Sequence, residues 1–348
     1  MKKIGIIPFI AIIALLGGVV IYMMGGSDDS SNDMAEASQP EMNSDTAIEE
    51  VKVTDSPYTL FIDNISSGGP PKDGIPPIDG PTYITVNEAM SRMEDYDKVF
   101  VYEGKEDTYL YPQNILVWHE IVNDIIDGDS LSITYCPLTG STICYEGDIA
   151  GSGENLDTTY GTSGKLLNSN LVMYDRATDS YIPQIFGTAI TGDLSGTTLE
   201  TRPIHWSNWS DAIKAFPDAK VLSTETGYIR DYEADPYGTY QPEDNRSYYA
   251  NDGVMFPLTS THDGPFSDKK VVVGIKSDDG IVALDPMYVR RENEVTFMVG
   301  STEMMAVWDD ALKTARVYHK DTPETSPVYF DVMWFAWYAY YPETEVIQ

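Results

Sequence analysis

Ser130-Leu131-Ser132-Ile133-Thr134-Tyr135-Cys136-Pro137-Leu138-Thr139-Gly140-Ser141-Thr142-Ile143-Cys144 reads as a strand, a tight turn and a returning strand. Large apolar residues at 131, 133 and 135 alternate with small polar ones, and Pro-Leu-Thr-Gly supplies turn chemistry. Working outward, Lys98–Tyr102 and Thr108–Tyr111 predict a strand pair around the polar turn Glu103–Asp107. Leu166–Tyr174, Val271–Ile275, Ile281–Leu284 and Glu294–Val299 predict further strands. Helices are predicted over Asn87–Tyr96, Asn114–Ile126, Trp209–Phe216 and Met304–Ala315. The fold class that follows is α+β, mainly β.

A weak internal repeat refines that class. Trp209, Phe216-Pro217-Asp218 and Val221-Leu222 recur at the same spacing as Trp334, Tyr341-Pro342-Glu343 and Val346-Ile347. Gly140-Ser141-Thr142 likewise resembles Gly300-Ser301-Thr302. The matches predict two similar β-rich halves, about 97–222 and 270–347, sharing one core.

Fifty-five acidic residues against 22 basic ones give a net charge of −33. Phosphate backbones are bound through basic side chains, so this balance excludes a nucleic-acid partner. At the N-terminus, Lys2 and Lys3 precede a run without charge from Ile4 to Met24, about 30 Å of helix. That pattern predicts a transmembrane anchor over 1–26 whose lysines stay inside, placing the rest of the chain outside the cytoplasm. A cleaved signal peptide is the competing reading, disfavoured because no small-x-small cleavage pattern follows the run. The predicted organisation is this anchor to the membrane, a disordered acidic Ser/Asp/Asn-rich linker over 27–69, and a globular domain over 70–348.

The chemistry-bearing stretches are Trp118-His119-Glu120-Ile121-Val122-Asn123-Asp124, the Thr134–Thr142 hairpin, Tyr160-Gly161-Thr162-Ser163-Gly164 and Asn168–Arg176. Gly227-Tyr228-Ile229-Arg230-Asp231-Tyr232, Asp235-Pro236-Tyr237 and Trp334-Phe335-Ala336-Trp337 join them. In this order they resemble the family called domain of unknown function 3179, from about Pro70 to the C-terminus. Two departures are visible. Thr139 stands where some members carry a second cysteine, and Ile182-Pro183 precede Gln184 where a Trp is usual. A Cys-x-x-Cys thiol pair is therefore unavailable, and the resemblance implies a fold without an activity.

The residues themselves leave several roles open. A metal site would draw on His119, Cys136, Met173 and His205, a thiolate–imidazole–thioether set suited to copper. A thiol enzyme would use Cys136 as nucleophile, His119 as base, and Glu120 or Asp124 to orient the imidazole. Against both, Cys136 packs as a small hydrophobe, or pairs with Cys144 in a disulfide if residue 140 centres the hairpin. Ser163, Asn170, Asp175 and Arg176 are candidate binding residues, while Asp175-Arg176 and Arg230-Asp231 also read as ion pairs that fix loops. No recognised catalytic signature surrounds Cys136, so an enzyme is not established. The favoured reading is a surface binding or interaction module.

Overall fold

The strands Asp129–Cys136 and Ser141–Glu146 pair antiparallel with Cys136 opposite Ser141. Gly140 closes the turn at φ +54, a left-handed conformation that a side chain would strain. Ile121–Ile126, Ile78–Asp79 and Thr201–Arg202 extend this sheet to five strands. The computed structural model describes residues 56–149, 156–240 and 246–348. Leu60–Gln348 makes up one compact unit.

That unit is a five-bladed β-propeller. The first blade joins Lys98–Glu103, Thr108–Pro112, His205–Asn208, Lys220–Leu222 and Tyr83–Thr85. The sheet of the Cys136 hairpin is the second blade. The third holds Tyr160–Leu167, Asn170–Asp175, Tyr181–Pro183 and Ser66–Ser67. Val271–Lys276, Ile281–Leu284, Val328–Met333 and Glu345–Ile347 form the fourth, and Glu294–Val299, Thr302–Asp309 and Thr314–His319 the fifth. The ring closes where Ser207 of the first blade donates to the Leu312 carbonyl of the fifth and Arg316 reaches back to Glu103.

Each sheet buries its faces against its neighbours, so the apolar core is divided among blade interfaces. One cluster carries Cys136, Val172 and Trp334 from the second, third and fourth blades. Another carries Phe100, Tyr111 and Ile133 from the first and second, and a further one carries Val273, Phe297 and Val317 from the fourth and fifth. Propellers are stabilised by this radial repetition.

Several expectations are corrected. Two halves around one shared core give way to five blades: 97–222 spans three of them and 270–347 two. The matched Trp209 and Trp334 segments are helices, Trp209–Ala215 and Trp334–Tyr340, that lead into parallel strands of the first and fourth blades. Helix is replaced by strand over Ile121–Ile126 and Thr302–Asp309. In the latter, Met304 and Ala306 alternate into the core between two partner strands, and that burial outweighs the local helical pattern. The anchor and most of the linker lie outside the described residues. Among the described residues no helix is long and apolar enough to cross a membrane, so the single-pass anchor, the membrane partner and the outward location have no structural support.

Candidate functional site

A short helix, Gln113–Leu116, ends the first blade's second strand, and the chain turns at Glu120 into the second blade. Glu120 takes φ +59, rare for a residue with a side chain, because the backbone reverses there. His119 and Glu120 consequently face different surroundings. His119 donates from Nδ1 to the Pro76 carbonyl at 2.7 Å and accepts at Nε2 from the Tyr232 hydroxyl at 2.7 Å. Thr226 Oγ1 lies 2.6 Å from that hydroxyl and donates to it. Burial pushes the His119 imidazole down to about 4, helped by the nearby positive Arg230 and opposed by the Pro76 bond. The ring is neutral and both nitrogens are occupied.

Glu120 is 7% exposed, and its carboxyl has no hydrogen-bond partner among the described residues. Burial raises it to about 8. Cys136 lies close enough to feel its charge. The thiol itself is buried, accepts from Leu171 N at 3.4 Å and faces the Ser169 carbonyl at 3.8 Å. Burial, then Glu120, push it up to about 11, so it is a neutral thiol at ordinary pH. No hydrogen bond joins His119 to Cys136. The expected base and nucleophile thus have different partners and are not bonded to each other.

The disulfide expectation is also corrected. Register places Cys144 opposite Ile133, three positions from the Cys136 pair, and the two side chains enter different core clusters. Both cysteines are free. Of the four copper-ligand candidates, Cys136 and Met173 enter one core cluster, while His119 and His205 are each held by other partners. His205 accepts at Nε2 from Arg316 at 3.3 Å and is pushed down to about 3, chiefly by burial. Met173 packs in the core from the third blade's strand Asn170–Asp175. Among the described residues no three His, Cys, Asp or Glu side chains converge in a way that would hold a metal.

Each candidate binding residue has protein partners of its own. Asn170 Nδ2 donates to Gln184 Oε1 at 2.8 Å, while Ser141 donates to that oxygen and Gln184 donates to Thr134. Such a satisfied buried network fixes one register between the second and third blades. Ser163 donates to the Val172 carbonyl across its own sheet. Asp175 accepts from the backbone of Ala177, Thr178 and Ser180, and Arg176 pairs with Asp79 at 2.8 Å. Asp175 and Arg176 therefore each stabilise a loop, with different partners.

Residues 72–327 match a known family profile. The chain belongs to the family described as Protein of unknown function (DUF3179). No curated protein and no solved structure matches it.

Within the family region, the helix Gln113–Leu116 and the turn after it carry a segment that the sequence motifs marked without explaining. Asn114 Nδ2 donates to the Tyr232 carbonyl at 2.8 Å, and Trp118 donates to Ala234 at 3.0 Å. Gln113 Nε2 lies 2.8 Å from Asp235 Oδ2, which also accepts from Tyr249. Tyr240 and Tyr249 stack with centroids 3.8 Å apart over the Tyr135 hydroxyl. Burial raises Asp235 to about 6 despite these bonds.

Asn114 and Tyr232 also line a cleft of about 340 Å³. Ile84, Met93, Ile115, Val221 and Leu222 supply its apolar lining, and Arg92, Asn114, Thr224 and Arg230 its polar groups. Asn114 Oδ1 is buried with no partner among the described residues. Sequence reading missed Arg92 and Asn114, and took Arg230 as the partner of Asp231. The corrected geometry is that Arg230 donates to the Ile229 carbonyl, with no ion pair to Asp231. The available signal was the Gly227–Tyr232 motif, whose residues end at the cleft wall.

Proposed function

We propose that this chain is a small-molecule binding module whose site is the cleft between the first blade and the Thr224–Glu233 segment. The observation that carries the reading is the cleft itself. Its volume is at the lower end of ligand sites, roughly 300–1,000 Å³, and it combines an apolar lining with a few fixed polar groups. Asn114 is one of the fixed groups: it lines the cleft, and its Nδ2 is held by the Tyr232 carbonyl at 2.8 Å. A thiol or copper enzyme centred on Cys136 and His119 fits less well. A neutral buried thiol is a poor nucleophile, and an imidazole bonded at both nitrogens has no free lone pair for a metal or proton.

The test is a fragment screen on the full chain, read by ligand-observed magnetic resonance. Met93→Trp, which places an indole in the cleft, should abolish the hits while circular dichroism stays unchanged. Hits that persist in Met93→Trp, or an absence of hits, would remove the cleft as the site.

A further inference from the structure

The chain holds far more acid than base, 55 residues against 22, yet not every arginine holds a carboxylate; Arg290, for one, lies over the Trp308 ring instead. Arg176, Arg202, Arg291 and Arg316 each hold one: Asp79, Glu146, Glu292, and Glu103 with Asp309. The two arginines that line the cleft do not. Arg92 donates to Thr224 Oγ1 at 2.6 Å and Arg230 to the Ile229 carbonyl at 2.9 Å, both neutral oxygens. Among the described residues neither has an ion-pair partner. Arg92 is exposed and Arg230 half-buried, and the charge of Arg230 is felt by His119 and by Tyr232, which lines the cleft. A guanidinium in that position is poorly compensated by the protein and suited to a planar anion.

The rim restricts which anion. Asp231 and Glu233 also line the cleft, and both are exposed. Two cations and two carboxylates balance at the mouth itself, while the chain's net charge of −33 repels anions at long range, a multiply charged one more than a singly charged one. A single carboxylate seated on the arginines, with its remaining atoms on the apolar lining, keeps that penalty smallest. We propose that the cleft takes a monocarboxylate with an apolar body, its carboxylate held by Arg230 and Arg92 and its body lying on Ile84, Ile115, Val221 and Leu222. This inference rests on the cleft being the binding site.

The test is isothermal titration of the full chain with 4-phenylbutanoate and with its neutral amide, 4-phenylbutanamide. The acid should bind at least about tenfold more tightly than the amide. Arg230→Gln should weaken the acid by about ten- to a hundredfold, the worth of a hydrogen bond to a charged group, and leave the amide unchanged. Arg92→Gln should act in the same direction, with circular dichroism confirming that both variants fold. Equal binding of acid and amide, blocked by Met93→Trp, overturns the carboxylate assignment and leaves the cleft as the site. Failure of both probes to bind, with neutral fragments also silent, overturns the assignment and the site together.

Discussion

Replacing Glu120 by glutamine should make this protein relatively more stable as the pH rises. Glu120 is 7% exposed and its carboxyl has no partner among the described residues, so ionising it means placing an unpaired charge where little water reaches it. Burial lifts it from the usual value near 4.5 to about 8. The folded chain therefore binds one proton more than the unfolded chain between those two values. The protonated carboxyl's contribution is complete below about pH 4.5, declines across the window and is gone above about pH 8. At roughly 1.4 kcal/mol per unit, the whole effect is about 5 kcal/mol, with about 4 kcal/mol of it between pH 5 and pH 9. The glutamine variant would carry no such dependence. Its amide offsets the curve by a constant, because it does not titrate. Asp235 and Asp331, also raised by burial, to about 6 and about 7, cancel in the difference between the two proteins. Urea unfolding of both proteins at intervals from pH 5 to pH 9 reads the effect directly. Glu120→Gln should gain about 4 kcal/mol relative to the parent over that range. Parallel stability curves, within about 1 kcal/mol, would refute the placement of an unpartnered carboxyl in the core.

Two further outcomes follow from packing. Gly274→Ala places a methyl carbon 2.3 Å from two ring atoms of the buried Trp337, and should cost about 2–3 kcal/mol in urea unfolding; Gly253→Ala, with nothing within 4 Å, serves as the neutral control. Cys136 and Cys144 should both resist iodoacetamide in the native protein and both react after denaturation without a reductant, since they are free and buried. A chain that needs reduction before two thiols can be alkylated would contradict the register of the hairpin.

How much of this was legible in the chain depends on the range of the forces involved. Alternation of 131, 133 and 135, with turn chemistry at Pro137–Gly140, is a local pattern, and the hairpin follows from it. The ordered motifs identify the family for the same reason, since they are properties of the string. Asn114–Ile126 was less readable. Ile121 and Val122 are both buried, on opposite faces of a sheet covered on both sides, and a continuous apolar run carries no period that separates strand from helix. The two Trp segments do mark equivalent connections, but a spacing cannot count blades. The number is set by how many sheets must pack around the ring before every face is covered.

The site shows the same division. A short connection after residue 126 suggested that His119, Glu120 and Cys136 are neighbours, on the reading of 114–126 as a helix that the strand Ile121–Ile126 replaces. Tertiary packing decided what each does: Pro76 and Tyr232 occupy the imidazole, Ser169 and Leu171 surround the thiol, and Glu120 is left without a partner. Arg92 and Arg230 stand far apart in sequence and carry no signal there beyond their charge. In the folded chain each bonds a neutral oxygen, whereas Arg176, Arg202 and Arg316 hold carboxylates from other elements. Pairing of charges depends on distances of a few ångströms between elements remote in the chain, and those distances exist only once the blades have closed.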